Sequence, residues 1–237
     1  MQNFSYYYQM VDGIRRFKGV KPPKAPSSAQ TISIDGDFSD WLNVWPKFKD
    51  TRGDVLHRDC DGYGNIGLRY TNTTGRNDFI NMKVARDDAY VYFYAETDAS
   101  ITPCTDSAWM LLFIDADQNQ ATGWEGYDYL VNYHVNSANS TTLMHTSGGW
   151  NWTMINSNIA MAINGNKLEL AIPRADIGQG SGSEDVVFDF HWADNIQKND
   201  DIIEFSVSGD SAPNRRFNYR YDTSFSAKAC ALGFVMK

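Results

Sequence analysis

The hairpin written into residues 159–172 constrains this chain's fold more than any other stretch. Ile159-Ala-Met-Ala-Ile163 alternates apolar and small residues, Asn164-Gly165 supplies a two-residue turn, and Lys167-Leu-Glu-Leu-Ala-Ile172 alternates back. Asn-Gly between alternating runs favours a tight antiparallel hairpin, because both turn positions accept positive φ. Similar signals recur along the chain. Thr31-Ile-Ser-Ile34 alternates before the turn at Asp35-Gly-Asp, and Phe79 to Val84 reads as a strand. Tyr90 to Ala95 sets Val91, Phe93 and Ala95 on one face and Tyr90, Tyr92 and Tyr94 on the other. Met110 to Ile114 reads as a buried strand, a partner opens at Tyr127, and Val186–Trp192 and Ile202–Val207 complete the set. Almost no helical pattern follows residue 28. Together with 14% aromatics and 18 glycines, this predicts an all-β chain, an antiparallel β-sandwich of the immunoglobulin or jelly-roll two-sheet kind.

Ahead of the strands the pattern differs. Tyr7, Met10, Val11, Ile14 and Phe17 fall at helical spacing and Gly19 ends the run. Residues 1–20 are therefore expected to form a short amphipathic helix, docked on its own domain or left over from a preceding catalytic domain. Residues 21–30, with Lys21-Pro-Pro-Lys-Ala-Pro, read as a stiff linker. Residues 31–237 form the β domain.

Charge narrows the partners. A net charge of -8 argues against nucleic acid and anionic membranes, which demand clustered Lys and Arg. Only Glu96, Glu125, Glu169, Glu184 and Glu204 are glutamates; the other acids are Asp, which suits turns and calcium loops. No apolar run reaches the length of a membrane span, so no membrane insertion is expected, and no basic-then-apolar leader is visible. Cys60, Cys104 and Cys230 fit either one bridge with a free thiol or three buried thiols. Asn3, Asn72, Asn139 and Asn151 sit in glycosylation sequons. Gly178-Gln-Gly-Ser-Gly-Ser183 reads as a flexible loop.

The chemistry concentrates between residues 109 and 132. Asp115, Asp117 and Asn119 occupy the first three alternate positions of an oxygen-ligand calcium loop. Gln120 and Gly126 replace the glycine and glutamate of an EF-hand, so Asp128 or Glu125 would complete the shell. Turn capping explains the same residues. Trp124, Trp150 and Trp152 lie in Gly- and Asn-rich sequence and are the candidate platforms for stacking on a sugar face, whereas Trp41 and Trp109 read as core. Tyr127, Arg69, Asn132 and Asp194 join them as candidate ligand contacts, with Arg76, Asp78 and Asn195 as further hydroxyl partners. Arg215 and Arg216 read as a clamp on Asp210. No hydrolase, metalloprotease or phosphate-binding motif occurs, and no carboxylate pair is singled out for glycoside cleavage.

Several blocks, in order, carry a resemblance. Ile34-Asp-Gly-Asp-Phe-Ser-Asp-Trp41, Ala89-Tyr-Val-Tyr-Phe, Phe113-Ile-Asp-Ala-Asp with Thr122-Gly-Trp124, Lys167-Leu-Glu-Leu-Ala-Ile-Pro173 and Phe188-Asp-Phe-His-Trp-Ala-Asp194 resemble the carbohydrate-binding modules of family 9 and their DOMON-type relatives. The resemblance spans roughly residues 31 to 222. It implies a non-catalytic β-sandwich that binds oligo- or polysaccharide, with a structural calcium, outside the cytoplasm. Such a module is appended to a glycoside hydrolase as the preceding catalytic domain. The long Gly53–Arg76 region departs from the pattern. Two rivals follow: a glycoside hydrolase in its own right, and a haem-binding domain of the same fold. Met144-His145 would supply the haem ligands, but adjacent strand residues point to opposite faces.

Overall fold

A computed structural model describes residues 24–62 and 67–224. The expected helix over 1–20 and Cys230 lie outside the described residues, and residues 24–30 carry no regular structure. The rest is almost entirely strand. In chain order these are β1 (Lys47–Lys49), β2 (Arg58–Asp61), β3 (Arg69–Asn72), β4 (Phe79–Arg86), β5 (Tyr90–Thr97), β6 (Leu111–Asp115), β7 (Tyr129–Ser137), β8 (Ser140–His145), β9 (Thr153–Asn164), β10 (Lys167–Pro173), β11 (Val187–Asp194), β12 (Asp210–Ala212) and β13 (Tyr219–Asp222). All their pairings are antiparallel. No helix among the described residues is long and apolar enough to cross a membrane.

Eleven strands form one hydrogen-bonded path, β1-β4-β5-β10-β9-β8-β7-β6-β11-β12, with β13 sharing the outer edge of β11. The path curls until it nearly closes, so its opposite walls pack on each other. Phe93 of β5 meets Phe188 and Phe190 of β11 at 5.6 and 5.7 Å, and Phe79 meets Trp192 at 5.9 Å. Val91, Phe93, Ala95, Leu168, Leu170, Ile172, Ile159 and Met161 all enter this core, as their alternation requires. The 159–172 hairpin has the expected register, with Leu168 opposite Ile163 and Leu170 opposite Met161.

The opposite face of β5 and β10 is covered by the opening motif. Asp37 caps a 3-10 turn over Phe38–Trp41, its side chain accepting from Ser39 N. Trp41 packs against Tyr94, with ring centres 5.3 Å apart. Glu169, buried on β10, accepts from Asp35 N, Gly36 N and Trp41 Nε1 at 3.0, 2.8 and 2.7 Å. Tyr92 and Tyr94 are thus buried beneath this turn, not arrayed as a flat surface. Thr31–Ile34 is not a strand: Gln30 N, just before it, donates to Arg86 O, and Ile32 fills the small cluster below.

Three other expectations change. Ile202–Val207 is not a strand but leads into a single helical turn, α1 (Glu204–Val207). Buried Glu204 holds it by accepting from Gln197 N and Ser208 Oγ. The glycine-rich stretch at 178–183 is pinned. Buried Arg174 donates five hydrogen bonds to backbone oxygens, those of Asp87, Gln179, Gly182 and Glu184. Asn72 is buried, its amide spent on Val55 O and Gly209 O, so this sequon is closed to glycosylation in the folded chain. Among the described residues Cys60 and Cys104 are both exposed, and no bridge joins them. The Gly53–Arg76 region folds as a separate two-stranded ribbon, β2 with β3.

Candidate functional site

The loop between β6 and β7 turns at positions few residues accept. Gln118, Gly123, Glu125 and Gly126 all have positive φ. At Gly123 a side chain would drive its Cβ to 2.1 Å from Tyr127 O, because Trp124 and Tyr127 close on each other with a pair of backbone bonds. This folding gathers acids. One carboxylate oxygen from each of Asp115, Asp117 and Asp128 lies within 4.8 Å of the others. Asp128 Oδ2 accepts from Ala116 N at 2.9 Å, and Asp117 takes Asn119 N and the Thr122 hydroxyl. Asp115 is 4% exposed and its Oδ1 has no partner.

Burial pushes the Asp115 carboxyl up to about 7, with Asp189, Asp128 and Asp117 adding to the effect against a pull from the Gln118 backbone. Asp128 is raised too, mainly by burial. Asn119 turns back into its own loop, its side-chain oxygen accepting from Ala121 N at 3.1 Å. Glu125 faces Arg216 at 3.9 Å. The sequence set Asp115, Asp117 and Asp128 is therefore brought together, while Asn119 and Glu125 are engaged elsewhere.

Beneath the loop, Phe113 projects from the outer face of β6 and seats five aromatic rings: Trp124, Tyr127, Trp150, Trp152 and Phe205, with centres 5.2–6.4 Å away. Trp124 is the innermost indole. It is 3% exposed, and its Nε1 donates to Asp200 Oδ1 at 2.9 Å. Tyr127 is equally buried, its hydroxyl donating to Asn218 Oδ1. Neither presents a face to a ligand, because Phe113 gives both an apolar seat. Trp150 stands edge-on to Trp124 at 4.5 Å, and Trp152 stands edge-on to Trp150 at 5.7 Å. These two rings are half-buried, and beyond them Met154 and Ile155 are 44% and 47% exposed. The result is a short aromatic wall, joined to the acidic loop through Trp124.

The remaining candidates are structural. Asp194 is buried, accepting from Met110 N, Asn77 Nδ2 and Arg76 Nε at 2.9, 3.0 and 2.8 Å. Asn132 is buried with φ +68°, donating to Met110 O. Asn195 is buried, with its amide on Thr74. Arg69 is exposed on the β2-β3 ribbon and pairs with Asp59 and Asp61. Asp210 accepts from the Phe79 and Ser211 backbones, and Arg216 faces Glu125, so the clamp expected at Arg215 and Arg216 is not formed. Met144 is buried beneath the aromatic wall while His145 packs on Tyr129, so the pair does not converge on one ligand.

Sequence reasoning passed over Trp45, the third half-buried tryptophan among the described residues. Its ring face is covered by Lys24 Nζ, 3.0 Å from the centroid. It also missed Met154 and Ile155, whose exposure on a long strand carries no local signal. No family model, curated protein or solved structure matches the chain.

Proposed function

We propose that this chain is a non-catalytic carbohydrate-binding domain, with Trp150 and Trp152 as its sugar-contacting wall. The observation that supports this reading is the pair of half-open, mutually perpendicular indoles braced on Phe113 and Trp124. An indole face covers the apolar C–H face of a pyranose, and a braced ring loses little entropy on doing so. Polar contacts from Tyr133, 6.2 Å from Trp150, and from exposed Asn151 and Thr153, which flank Trp152, would fix orientation. One or two stacked sugars give an affinity on the order of micromolar to millimolar. Tethering to a polysaccharide-degrading domain outside the cytoplasm would make such weak capture useful by raising local substrate concentration.

Calcium belongs to the same reading. Asp115, Asp117 and Asp128 offer hard oxygen donors at a spacing calcium spans, and Asp115 Oδ1 is sealed without a partner. The ion would neutralise the loop and fix Trp124 behind the wall.

Affinity electrophoresis through a panel of soluble polysaccharides tests the proposal. Trp150→Ala and Trp152→Ala should each lose retardation on the glycan that slows the wild type, while Trp45→Ala keeps it. Retention of binding by both wall variants would refute the assignment. Separately, EDTA should lower the melting temperature and calcium restore it, with the response weakened in Asp117→Asn. Equal melting in EDTA and calcium would remove the metal from the account.

A further inference from the structure

The nearly closed sheet has a seam where β1 approaches the β12/β13 edge. Side chains cross it: Tyr219 Oη donates to Lys49 O at 2.8 Å, Phe79 N donates to Asp210 Oδ2 at 2.6 Å, Asn214 Nδ2 donates to Asp50, Thr51 and Asp54, and Phe48 packs on Phe190 and Tyr219. Acids converge on this seam. One carboxylate oxygen each from Asp50 after β1, Asp54 in the next loop and Asp210 at the head of β12 lies within 4.8 Å of the others. A fourth acid, Asp78, is 8% exposed and reaches into the same loop, its Oδ2 accepting from Gly53 N at 2.7 Å. The other oxygen of Asp78 is sealed from solvent without a hydrogen-bond partner, as are Asp50 Oδ2 and Asp54 Oδ1.

Nearby cations do not answer these oxygens. The Arg58 guanidinium donates to Asp54 O and Gly209 O, and Arg52 pairs with Asp98 at 3.1 Å. Arg215 lines the adjoining hollow of about 200 Å³ without an ion pair to Asp54 or Asp210 among the described residues. The side-chain donor that does reach the cluster is Asn214 Nδ2, 2.7 Å from Asp54 Oδ2 and 3.3 Å from Asp50 Oδ1. Buried carboxylates without partners cost several kcal/mol unless protonated or paired.

We propose that Asp50, Asp54, Asp78 and Asp210 form a calcium site that staples the two edges of the sheet. Calcium takes six to eight oxygens at about 2.3–2.6 Å in irregular arrangements, so opposite ligands lie about 5 Å apart; magnesium demands a tighter octahedron. The oxygens of Asp50, Asp54 and Asp210, within 4.8 Å of one another, suit the larger ion, with Asp78 on the same loop as a further donor. The hollow beside it admits the waters that complete the shell. Consistent with this, burial first and Asp54 next push Asp50 up to about 7 when no cation is present. The seam site draws on different residues from the acidic loop and does not depend on carbohydrate binding.

The full chain, stripped with EDTA, is titrated with calcium chloride by calorimetry and melted with and without calcium. Wild type, Asp54→Asn, Asp50→Asn and Asp115→Asn are compared; Asp78→Asn substitutes where either seam variant fails to fold. The seam variants should lose one calcium-binding event or weaken it at least tenfold. They should also melt higher than wild type in EDTA, because a repelling charge is gone. Asp115→Asn should keep that event, which separates this site from the loop. Wild-type calcium binding in both seam variants overturns the proposal, as does a wild type that binds no calcium beyond what Asp115→Asn removes.

Discussion

Replacing Arg174 by lysine tests whether one buried guanidinium holds the acidic loop's support in place. Arg174 is fully buried and uses all five of its N–H groups: Nε and Nη2 on Gln179 O, Nη2 on Glu184 O, and Nη1 on Asp87 O and Gly182 O. Lysine keeps the charge but has three donors on one atom, so at least two of the five bonds disappear and a buried carbonyl is orphaned. At about 1–2 kcal/mol per lost bond of this kind, Arg174→Lys should cost about 2–4 kcal/mol. For a chain of this size that lowers the melting temperature by about 5–15 °C. Arg174→Met, which orphans all four carbonyls, should cost more.

The effect should reach the candidate site. Gln179, whose backbone Arg174 grips, bridges Ala116 O and Val187 N with its own side chain at 3.0 and 2.9 Å. Ala116 lies between Asp115 and Asp117. Loosening Gln179 should therefore weaken calcium binding at the loop several-fold while leaving the seam unaffected. Urea unfolding followed by tryptophan fluorescence gives the stability change. Two results would refute the reasoning: Arg174→Lys within about 1 kcal/mol of wild type, or Arg174→Met no worse than Arg174→Lys.

Asp194→Ala strands Met110 N and Asn77 and takes one of the two carboxylate partners of the largely buried Arg76, Asp106 remaining, and should cost about 3–5 kcal/mol; below its lowered melting temperature, glycan retardation should stay at the wild-type level, and a stable variant that fails to bind would return Asp194 to the binding surface. His191 is fully buried, stacked on Phe205 at 4.2 Å, with Nδ1 facing Phe217 O and no partner for Nε2. Burial lowers its pKa to about 4 from an ordinary 6.5, so the fold favours the neutral ring and the unfolded chain takes up the proton first. The resulting stability, about 3 kcal/mol from about 1.4 kcal/mol per pH unit, is complete above pH 6.5 and is lost as pH falls towards 4. Asp50 and Asp115, both raised to about 7, act with the opposite sign. The difference between wild type and His191→Phe therefore isolates the histidine, and a difference that stays flat from pH 7 to 4.5 would contradict its burial as a neutral ring.

What the sequence made legible was whatever its partners, a few residues away, already implied. The β9-β10 hairpin needed only Asn164-Gly165 and two alternating runs, and its register follows. Val91, Phe93 and Ala95 reach the core because alternation alone decides which face they take. Asp115, Asp117 and Asp128 sit close enough in the chain for the loop to betray them. The errors share a different cause. Trp124 looked open because its neighbours are Gly and Glu, yet its seat is Phe113 and its hydrogen bond goes to Asp200, 76 positions on. Asp194 looked like a ligand contact because Arg76, 118 positions back, is invisible from the strand. Ile202–Val207 has strand-like composition, but Glu204 finds Gln197 N and Ser208 and turns the chain into a helical step.

The same logic explains why the acidity could be counted but not placed. A surplus of aspartate over glutamate marks acids held in loops, and loops alone would leave them solvated. The fold instead draws several of them away from open solvent: Asp115 at the end of β6, buried Asp78 and Asp210 and half-buried Asp50 and Asp54 where the sheet nearly meets itself. Local pattern exposes the first group, whereas the second exists only once β1, β4 and β12 are brought edge to edge. The final edges of this nearly closed sheet are joined by side chains, Phe48 on Phe190 and Tyr219 and Asn214 on Asp50 and Asp54, and the clustered acids work against that cohesion. The carboxylates would add to it with a cation among them, and without one they push the same edges apart. Calcium should therefore stabilise this chain by closing the sheet itself, beyond any tightening of the loop behind the tryptophan wall.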